Sequence, residues 1–130
     1  SNTTPPAKHQ VDGVSLLPQL SGRINKERTD QFMCHVPHSH RSSHFTSFRK
    51  GDWKLIYRYL DGEGKRKSKK PLPKYELYNL RKDPYETKNL ALGNTGKTNE
   101  MIRLMSRQLE TEDALFPVRG DAELRPQPIK

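Results

Sequence analysis

The sequence has one cysteine, few apolar residues and no long apolar run. Because Cys34 is alone among 130 residues, an internal disulfide and a metal site built from several cysteines are both excluded. Apolar residues make up 31% of the chain and the mean hydropathy is −1.02, which is polar for an independent globular unit. No apolar run approaches the ~20 residues that a membrane-spanning helix needs. We therefore expect no membrane span, and either flexible ends or a small core that lacks a partner surface.

Sequence motifs of several common enzyme classes are also absent. The chain has no glycine-rich phosphate loop and no Gly-x-Ser-x-Gly nucleophile turn. It also lacks a recognisable pair of catalytic carboxylates. The local chemistry therefore predicts no catalytic activity for these 130 residues by themselves.

Positive charge is present in excess. The net charge of +9 comes from 24 basic and 15 acidic residues, and such a balance attracts nucleic acid, anionic surfaces and sulfated polysaccharides alike. Five of the basic residues lie between Lys65 and Lys70. No aromatic residue alternates with them, so nucleic-acid binding is disfavoured. A solvated loop tip is the favoured interpretation, with weak steering of an anionic polysaccharide left open.

The middle of the chain has the alternation and the turns of an antiparallel sheet. Residues 31–37 predict a short strand that ends at proline, which cannot donate to a sheet. Residues 44–50 and 52–60 flank a turn at Gly51 and predict a hairpin. A further strand is predicted over residues 75–80.

A helix is predicted to follow the strands. Thr98 or Asn99 is expected to cap it, and Pro117 prevents its continuation. Apolar residues then recur at helical spacing on one face. These residues are Met101, Ile102, Met105 and Leu109. The predicted fold class is therefore α+β, with a small antiparallel β-sheet of three to four strands packed by one C-terminal amphipathic helix.

Four histidines, His35, His38, His40 and His44, lie within ten residues and next to Cys34. A zinc site is one interpretation, but no second ligand group at the spacing of a zinc finger follows, so a polar loop near a ligand surface is favoured. Neighbours on a strand point to opposite faces, so Cys34 and His35 are not expected to form a nucleophile pair. We expect the Cys34 side chain to be buried.

Aromatic residues are concentrated in the predicted strands, where they favour a packed core over an exposed binding platform. They are Trp53, Tyr57, Tyr59, Tyr75 and Tyr78. Arg49 and Lys50 precede the predicted turn. They are interpreted equally well as contacts to a phosphate or sulfate group and as exposed charges.

The order of several short motifs resembles that of the type I sulfatase family. Residues 12–18 (DGVSLLP) resemble a stretch near the end of the sulfatase catalytic domain, and residues 35–38 (HVPH) resemble the H-x-P-H that follows it. Residues 48–56 (FRKGDWKLI) are similar to a family strand pair. Residues 76–91 carry ELYNL, DP, E and NLA in family order, and residues 114–117 (ALFP) are similar to a motif after the last helix. The resemblance extends from about residue 11 to residue 118.

The resemblance implies a subdomain whose parent protein hydrolyses sulfate esters. In that family a large α/β domain holds a formylglycine, formed within a C/S-x-P/A-x-R motif, and a calcium ion that neutralises the sulfate. Cys34 is not in such a motif, so the resemblance implies neither group in this chain. The implied partners are the catalytic domain of the same parent chain and a sulfated anionic substrate. The parent is expected to be periplasmic or secreted.

The resemblance also implies a division of the chain and two site residues. Residues 1–22 are expected to be a tail and linker from the end of the catalytic domain, 23–118 the C-terminal subdomain, and 119–130 a loose tail. His35 and His38 match the family's H-x-P-H positions, which implies a role on the substrate side of the cleft, while a structural role stays open. A free-standing basic module that binds nucleic acid or sulfated polysaccharide is the alternative function, and a histidine-based metalloprotein ranks third.

Overall fold

The computed structural model describes residues 13–38, 43–60 and 71–130. The chain divides into two compact units, Ser1–Asp30 and Gln31–Lys130. In the first unit, a single short helix α1 (Leu17–Leu20) is found among the described residues, and several large apolar side chains are exposed. Leu17, Leu20 and Ile24 are 70%, 81% and 88% exposed. This segment therefore has no core of its own among its described residues.

The second unit is an antiparallel sheet with one long helix. Four strands pair in the order in which they occur in the chain, and α2 follows them. The expected α+β class is thus confirmed, with four strands and the helix packed on the sheet. The strands are β1 (Gln31–Val36), β2 (Phe45–Lys50), β3 (Trp53–Arg58) and β4 (Tyr75–Asn79), and α2 spans Thr95–Thr111.

The turn between β2 and β3 shows why the hairpin forms at this point. It has two residues, Gly51 and Asp52, and Gly51 adopts φ +57°. Only glycine adopts this region without a steric penalty, so the turn fixes the pairing of Lys50 with Trp53. That register places Phe48 opposite Leu55 and sets which side chains share a face.

The core lies between α2 and one face of the sheet. From the strands it includes Phe48, Leu55, Tyr57 and Leu77, all at most 2% exposed. From α2 it includes the predicted apolar stripe, which is confirmed as the buried face of the helix. The aromatic residues on this side of the sheet belong to the core or pack against it, as predicted. They are Trp53, Tyr57, Tyr59 and Tyr75.

The N-cap of the helix lies four residues before Thr98, the earlier of the two predicted caps. Asn94 is the N-cap, and its side-chain oxygen accepts from the N–H of Lys97 at 3.3 Å. Thr98 is instead buried within the first turns, where its hydroxyl hydrogen bonds to the carbonyls of Ala91 and Asn94. The prediction of a cap at Thr98 or Asn99 was wrong because the polar groups of both residues contact other parts of the fold.

The last twelve residues also differ from the expectation of a loose tail. Val118–Arg119 and Ala122–Glu123 form a small hairpin, β5 and β6. Beyond it, the side chain of Asn99 bonds to both the N–H and the carbonyl of Ile129, at 2.8 and 3.0 Å. The N–H of Gln127 donates to the hydroxyl of Tyr57. Side chains from the helix and the sheet therefore hold this segment, which the apolar periodicity of the sequence does not reveal.

Candidate functional site

His35 lies on the face of β1 that is covered by the helix, one residue before the end of the strand. Its register partner on β2 is Thr46, which is fully buried. Cys34 lies on the opposite face, paired with Ser47, so the prediction that Cys34 and His35 point apart is confirmed. Cys34 is exposed, however, and the expectation of a buried thiol was wrong, because β1 is the first strand of the sheet and Cys34 points away from α2.

Both ring nitrogens of His35 have hydrogen-bond partners. Nδ1 lies 2.7 Å from Oγ1 of Thr46, and Nε2 lies 2.6 Å from the carbonyl oxygen of Leu115. The Thr46 hydroxyl lies in turn 2.7 Å from the hydroxyl of Tyr59. Burial raises the pKa of Tyr59 to about 12, so its hydroxyl remains a neutral hydrogen-bonding group at ordinary pH. The His35 imidazole is therefore connected, through the Thr46 hydroxyl, to the buried hydroxyl of Tyr59.

Aromatic rings surround the imidazole on two sides. The centroids of Tyr59 and Phe116 lie 5.9 and 6.0 Å from that of His35, each in an edge-on arrangement. The guanidinium of Arg125 lies over the Phe116 ring, 4.4 Å from its centroid. We call these four side chains, together with Thr46, the His35 cluster.

His38 is placed differently from His35. It follows Pro37 after the end of β1, is exposed, and lies outside the His35 cluster. The two predicted site residues are therefore close in sequence but have different surroundings. His44 is half-buried, and its carbonyl accepts from the N–H of Tyr59, which extends the β2–β3 pairing by one residue.

The remaining predicted sites are only partly within the described residues. His40 and the basic stretch Lys65–Lys70 lie outside them. Arg49 and Lys50 are exposed at the end of β2, and Nε of Arg49 donates to the carbonyl of Gly51. Within residues 13–38, 43–60 and 71–130, no group of three or more His, Cys, Asp or Glu side chains is placed to hold a metal ion. No helix in those ranges is long and apolar enough to cross a membrane.

The face of the sheet opposite α2 combines unburied apolar side chains with a polar network. Phe32 is 66% exposed, and Val36, Phe45 and Ile56 are half-buried. By register these side chains share one face, which we call the open face. Among the side chains that the four strands place there, Tyr78 alone is buried.

The polar network of the open face lies on β3 and β4. Arg58 forms an ion pair with Glu76, whose other oxygen accepts from the hydroxyl of Tyr78 at 2.5 Å. Burial, and then the Glu76 carboxylate, raise the pKa of Tyr78. Lys54 forms a second ion pair, with Glu86, at 2.6 Å. The charges of these strands are therefore paired, which lets them lie among half-buried neighbours.

The motif residues after β4 bind the backbone. The side-chain oxygen of Asn89 accepts from the N–H groups of Leu77 and Ala91, and its amide nitrogen donates to the carbonyl of Tyr75. Asp83 accepts from the N–H groups of Thr87 and Lys88, which hold the pKa of its carboxyl below the ordinary value. These residues carry part of the resemblance, and the structure gives them a role in the fold.

Thr46, Tyr59 and Phe116 are parts of the His35 cluster that the sequence did not bring together. Tyr59 was expected only as a core aromatic, and ALFP only as a motif after the last helix. No periodicity links residues that are 80 apart, such as His35 and Leu115. The single available signal was the paired occurrence of HVPH and ALFP, which says nothing of contact.

Comparisons with known proteins support the fold but not a family. No model of a known family matches the chain, and no curated protein matches it either. A solved structure of BT4656 in complex with its substrate D-glucosamine-2-N,6-O-disulfate is similar, with a TM-score of 0.58 and 21% identity. The similarity covers 85% of this chain and 21% of the BT4656 chain, so this chain spans about a fifth of that protein. The fold is therefore one that also occurs as a part of a protein with a sulfated sugar as its substrate.

Proposed function

We propose that this chain is the C-terminal part of a sulfatase, and that it packs on the catalytic domain and shapes the substrate cleft without catalysis of its own. In this proposal residues 1–22 lead from the catalytic domain, 23–118 form the subdomain, and 119–130 complete it. The parent is periplasmic or secreted and converts a sulfate ester and water to an alcohol and sulfate. Calcium and formylglycine belong to its catalytic domain.

The observation that carries the proposal is the fold shared with about a fifth of BT4656, whose substrate is a disulfated glucosamine. The order of the motifs supports it independently, because HVPH, the RKGDWKLI hairpin and the ELYNL segment occur in the order of the sulfatase family. The net charge of +9 is compatible with an anionic substrate.

Exposed apolar surface supports docking on a larger domain. A domain surface rarely exposes several large apolar side chains within a short segment unless they meet a partner. Leu17, Leu20 and Ile24 do so in the first unit. On the open face, the exposed Phe32 shares the surface with the half-buried Val36 and Ile56. In the proposal these side chains contact the catalytic domain.

The substrate-side role is proposed for His35 and His38. Imidazole donates hydrogen bonds, and a sulfate group only accepts them at neutral pH, so a histidine beside the cleft can orient the sugar or its sulfate. No residue of this chain is proposed as the nucleophile, because the sequence has no C/S-x-P/A-x-R motif.

The native polypeptide is the test of this proposal. An antibody raised against the 130-residue chain isolates the native polypeptide, and peptide mass mapping identifies any sequence upstream of residue 1. We expect a polypeptide several times longer, with a formylglycine-containing peptide and hydrolysis of D-glucosamine-2-N,6-O-disulfate or another sulfate ester. A native polypeptide without such a peptide would contradict the proposal.

A free-standing basic module that binds nucleic acid or sulfated polysaccharide is the second candidate, favoured by the net charge. Binding through phosphates or sulfates weakens steeply as salt rises, since counterions compete. Retention of the chain on a heparin column that falls steeply between about 50 and 200 mM salt would support this function. No retention at low salt would remove it.

A further inference from the structure

We infer that His35 is a positioning residue that anchors the end of β1 and thereby fixes where His38 leaves the sheet. The inference rests on the proposed function, since it assigns different roles to the two histidines of that site. It is carried by the contacts of the His35 ring, whose two nitrogens both have partners within the fold.

The partners determine the direction of each hydrogen bond. The Leu115 carbonyl can only accept, so Nε2 of His35 carries the proton and donates to it at 2.6 Å. In the neutral ring Nδ1 then accepts, from the Thr46 hydroxyl at 2.7 Å. The Thr46 oxygen accepts in turn from the hydroxyl of Tyr59, at 2.7 Å. All donors of this chain thus have acceptors, and the neutral imidazole has no N–H left for a ligand.

A sulfate group could bond to this ring only by replacing one of these contacts. Sulfate oxygens accept hydrogen bonds, so the ring would have to withdraw its Nε2 proton from Leu115. The ring would also have to leave the space between Tyr59 and Phe116. The hydroxyl of Thr46, which is 0% exposed, would lose the His35 acceptor and keep only its contact with Tyr59. The geometry therefore favours anchoring over ligand contact for His35.

Anchoring His35 restricts the residues that follow it. Two residues, Val36 and Pro37, separate His35 from His38, and Pro37 has a fixed φ. The residue before a proline is restricted to extended backbone, which applies to Val36. The backbone from His35 to His38 thus has few freely rotating dihedral angles. The contacts of the His35 ring therefore limit where the exposed imidazole of His38 can lie. The same anchor connects β1 to the segment after α2, through Leu115.

The first arm of the test needs no ligand. In the full 130-residue chain labelled uniformly with ¹⁵N, we expect His35 to show the Nε2–H tautomer by NMR. Three variants separate its two contacts. His35→Gln keeps a donor near the Nε2 position, His35→Asn keeps a polar group near Nδ1 only, and His35→Ala removes both. The backbone amide signals of Leu115 and Phe116 should move in the Asn and Ala variants and stay near the wild-type positions in the Gln variant.

The second arm uses D-glucosamine-2-N,6-O-disulfate, the substrate of BT4656, as the probe. We expect His38→Ala to lower affinity by about tenfold, the loss of one hydrogen bond to a charged group, while the amide signals of Leu115 stay in place. His35→Ala should also lower affinity, but with those signals displaced. His35→Gln should restore binding to within about threefold of wild type, because it restores the anchor.

Several results would overturn the inference. A shift of the His35 ring nitrogens on adding the sugar would show direct contact, as would a Gln variant as weak as the Ala variant with undisturbed Leu115 signals. If the His38 signals do not change when the sugar is added, or if the sugar does not bind, the inference that His35 positions His38 for contact with a ligand is overturned. The proposed sulfatase parent is decided separately, by the upstream peptides of the native polypeptide, so the two failures are distinguishable.

Discussion

The two faces of the sheet are built from the same four strands but differ in what surrounds them. On the helix side, Phe48, Leu55 and Leu77 are fully buried against α2. On the open face, Phe32 is 66% exposed and Ile56 only half-buried, while charges are paired between strands. The comparison indicates that burial on the helix side supplies most of the stabilisation of this unit, whereas the open face contributes less.

Leu55 and Ile56 test this difference most directly, because they are neighbours on β3 with side chains on opposite faces. Leu55→Ala should lower the free energy of unfolding by about 3 kcal/mol, since it leaves a cavity in the core. Ile56→Ala should cost about 1 kcal/mol, because its side chain is only half-buried. Urea unfolding of both variants measures the two values, and equal losses would contradict a one-sided core.

Asn89 tests how far the backbone at the edge of the sheet depends on one side chain. Asn89→Ala should cost about 2 kcal/mol, because the N–H groups of the buried residues Leu77 and Ala91 lose their acceptor. Asn89→Asp keeps that acceptor and loses only the donor to Tyr75, so it should cost less. Thermal unfolding of the pair ranks them, and a more harmful Asp variant would argue against this account.

Tyr59, on the helix side, should make the free energy of unfolding depend on pH in the alkaline range. Its pKa rises from 10.0 to about 12 on folding, so the folded state keeps a proton that the unfolded state releases. The resulting stability is present below pH 10 and is lost as pH rises through about 12. Tyr59→Phe should cost about 1 kcal/mol at neutral pH through its lost hydrogen bond to Thr46.

The unfolding free energies of the Tyr59→Phe variant and the wild type should therefore converge between pH 10 and 12. Tyr78→Phe is the matched variant of the open face, and its pH dependence should have the same sign, because burial also raises the pKa of Tyr78. A constant gap between wild type and Tyr59→Phe across that range would show that Tyr59 ionises equally easily in both states.

Phe32 should have the smallest effect on stability and the clearest effect on association. Phe32→Ser should change the free energy of unfolding of this chain by less than about 0.5 kcal/mol, since the side chain is 66% exposed. If the open face docks on a catalytic domain, the same change weakens that association. Leu92→Ser, at a side chain that is 78% exposed outside the strands, is the control and should leave association unchanged.

The strands and the helix could be predicted from the sequence because their patterns are local. Alternation in residues 53–59 and the turn at Gly51 identify the hairpin, and Met101, Ile102, Met105 and Leu109 identify the buried face of the helix. Boundaries and surroundings depend on distant groups. Asn99 is a residue type that often caps helices, but its side chain instead hydrogen bonds to the backbone of Ile129, 30 residues away.

The sequence identified His35 and His38 as the two residues of the candidate site, but it did not predict their surroundings. The sequence placed His35 and His38 together, and spacing alone made them equivalent. Their difference comes from Thr46 and Leu115, which are 11 and 80 residues from His35 and contact it only in the folded chain. Cys34 was misjudged for a related reason, because burial of a residue on β1 depends on which face α2 covers.

Asn89 also has a consequence for how this protein behaves in concentrated solution. Along the outer side of β4, the Asn89 side chain donates to the carbonyl of Tyr75 and accepts from the N–H of Leu77. The carbonyl of Leu77 accepts from the N–H of Leu90. The Asn89 side chain and the N–H of Leu90 thus occupy the positions that a fifth strand would take. A foreign strand that approached this side would find no free ladder, so self-association by edge pairing is blocked there. Protection against edge pairing on that side therefore depends on the Asn89 side chain together with the N–H of Leu90.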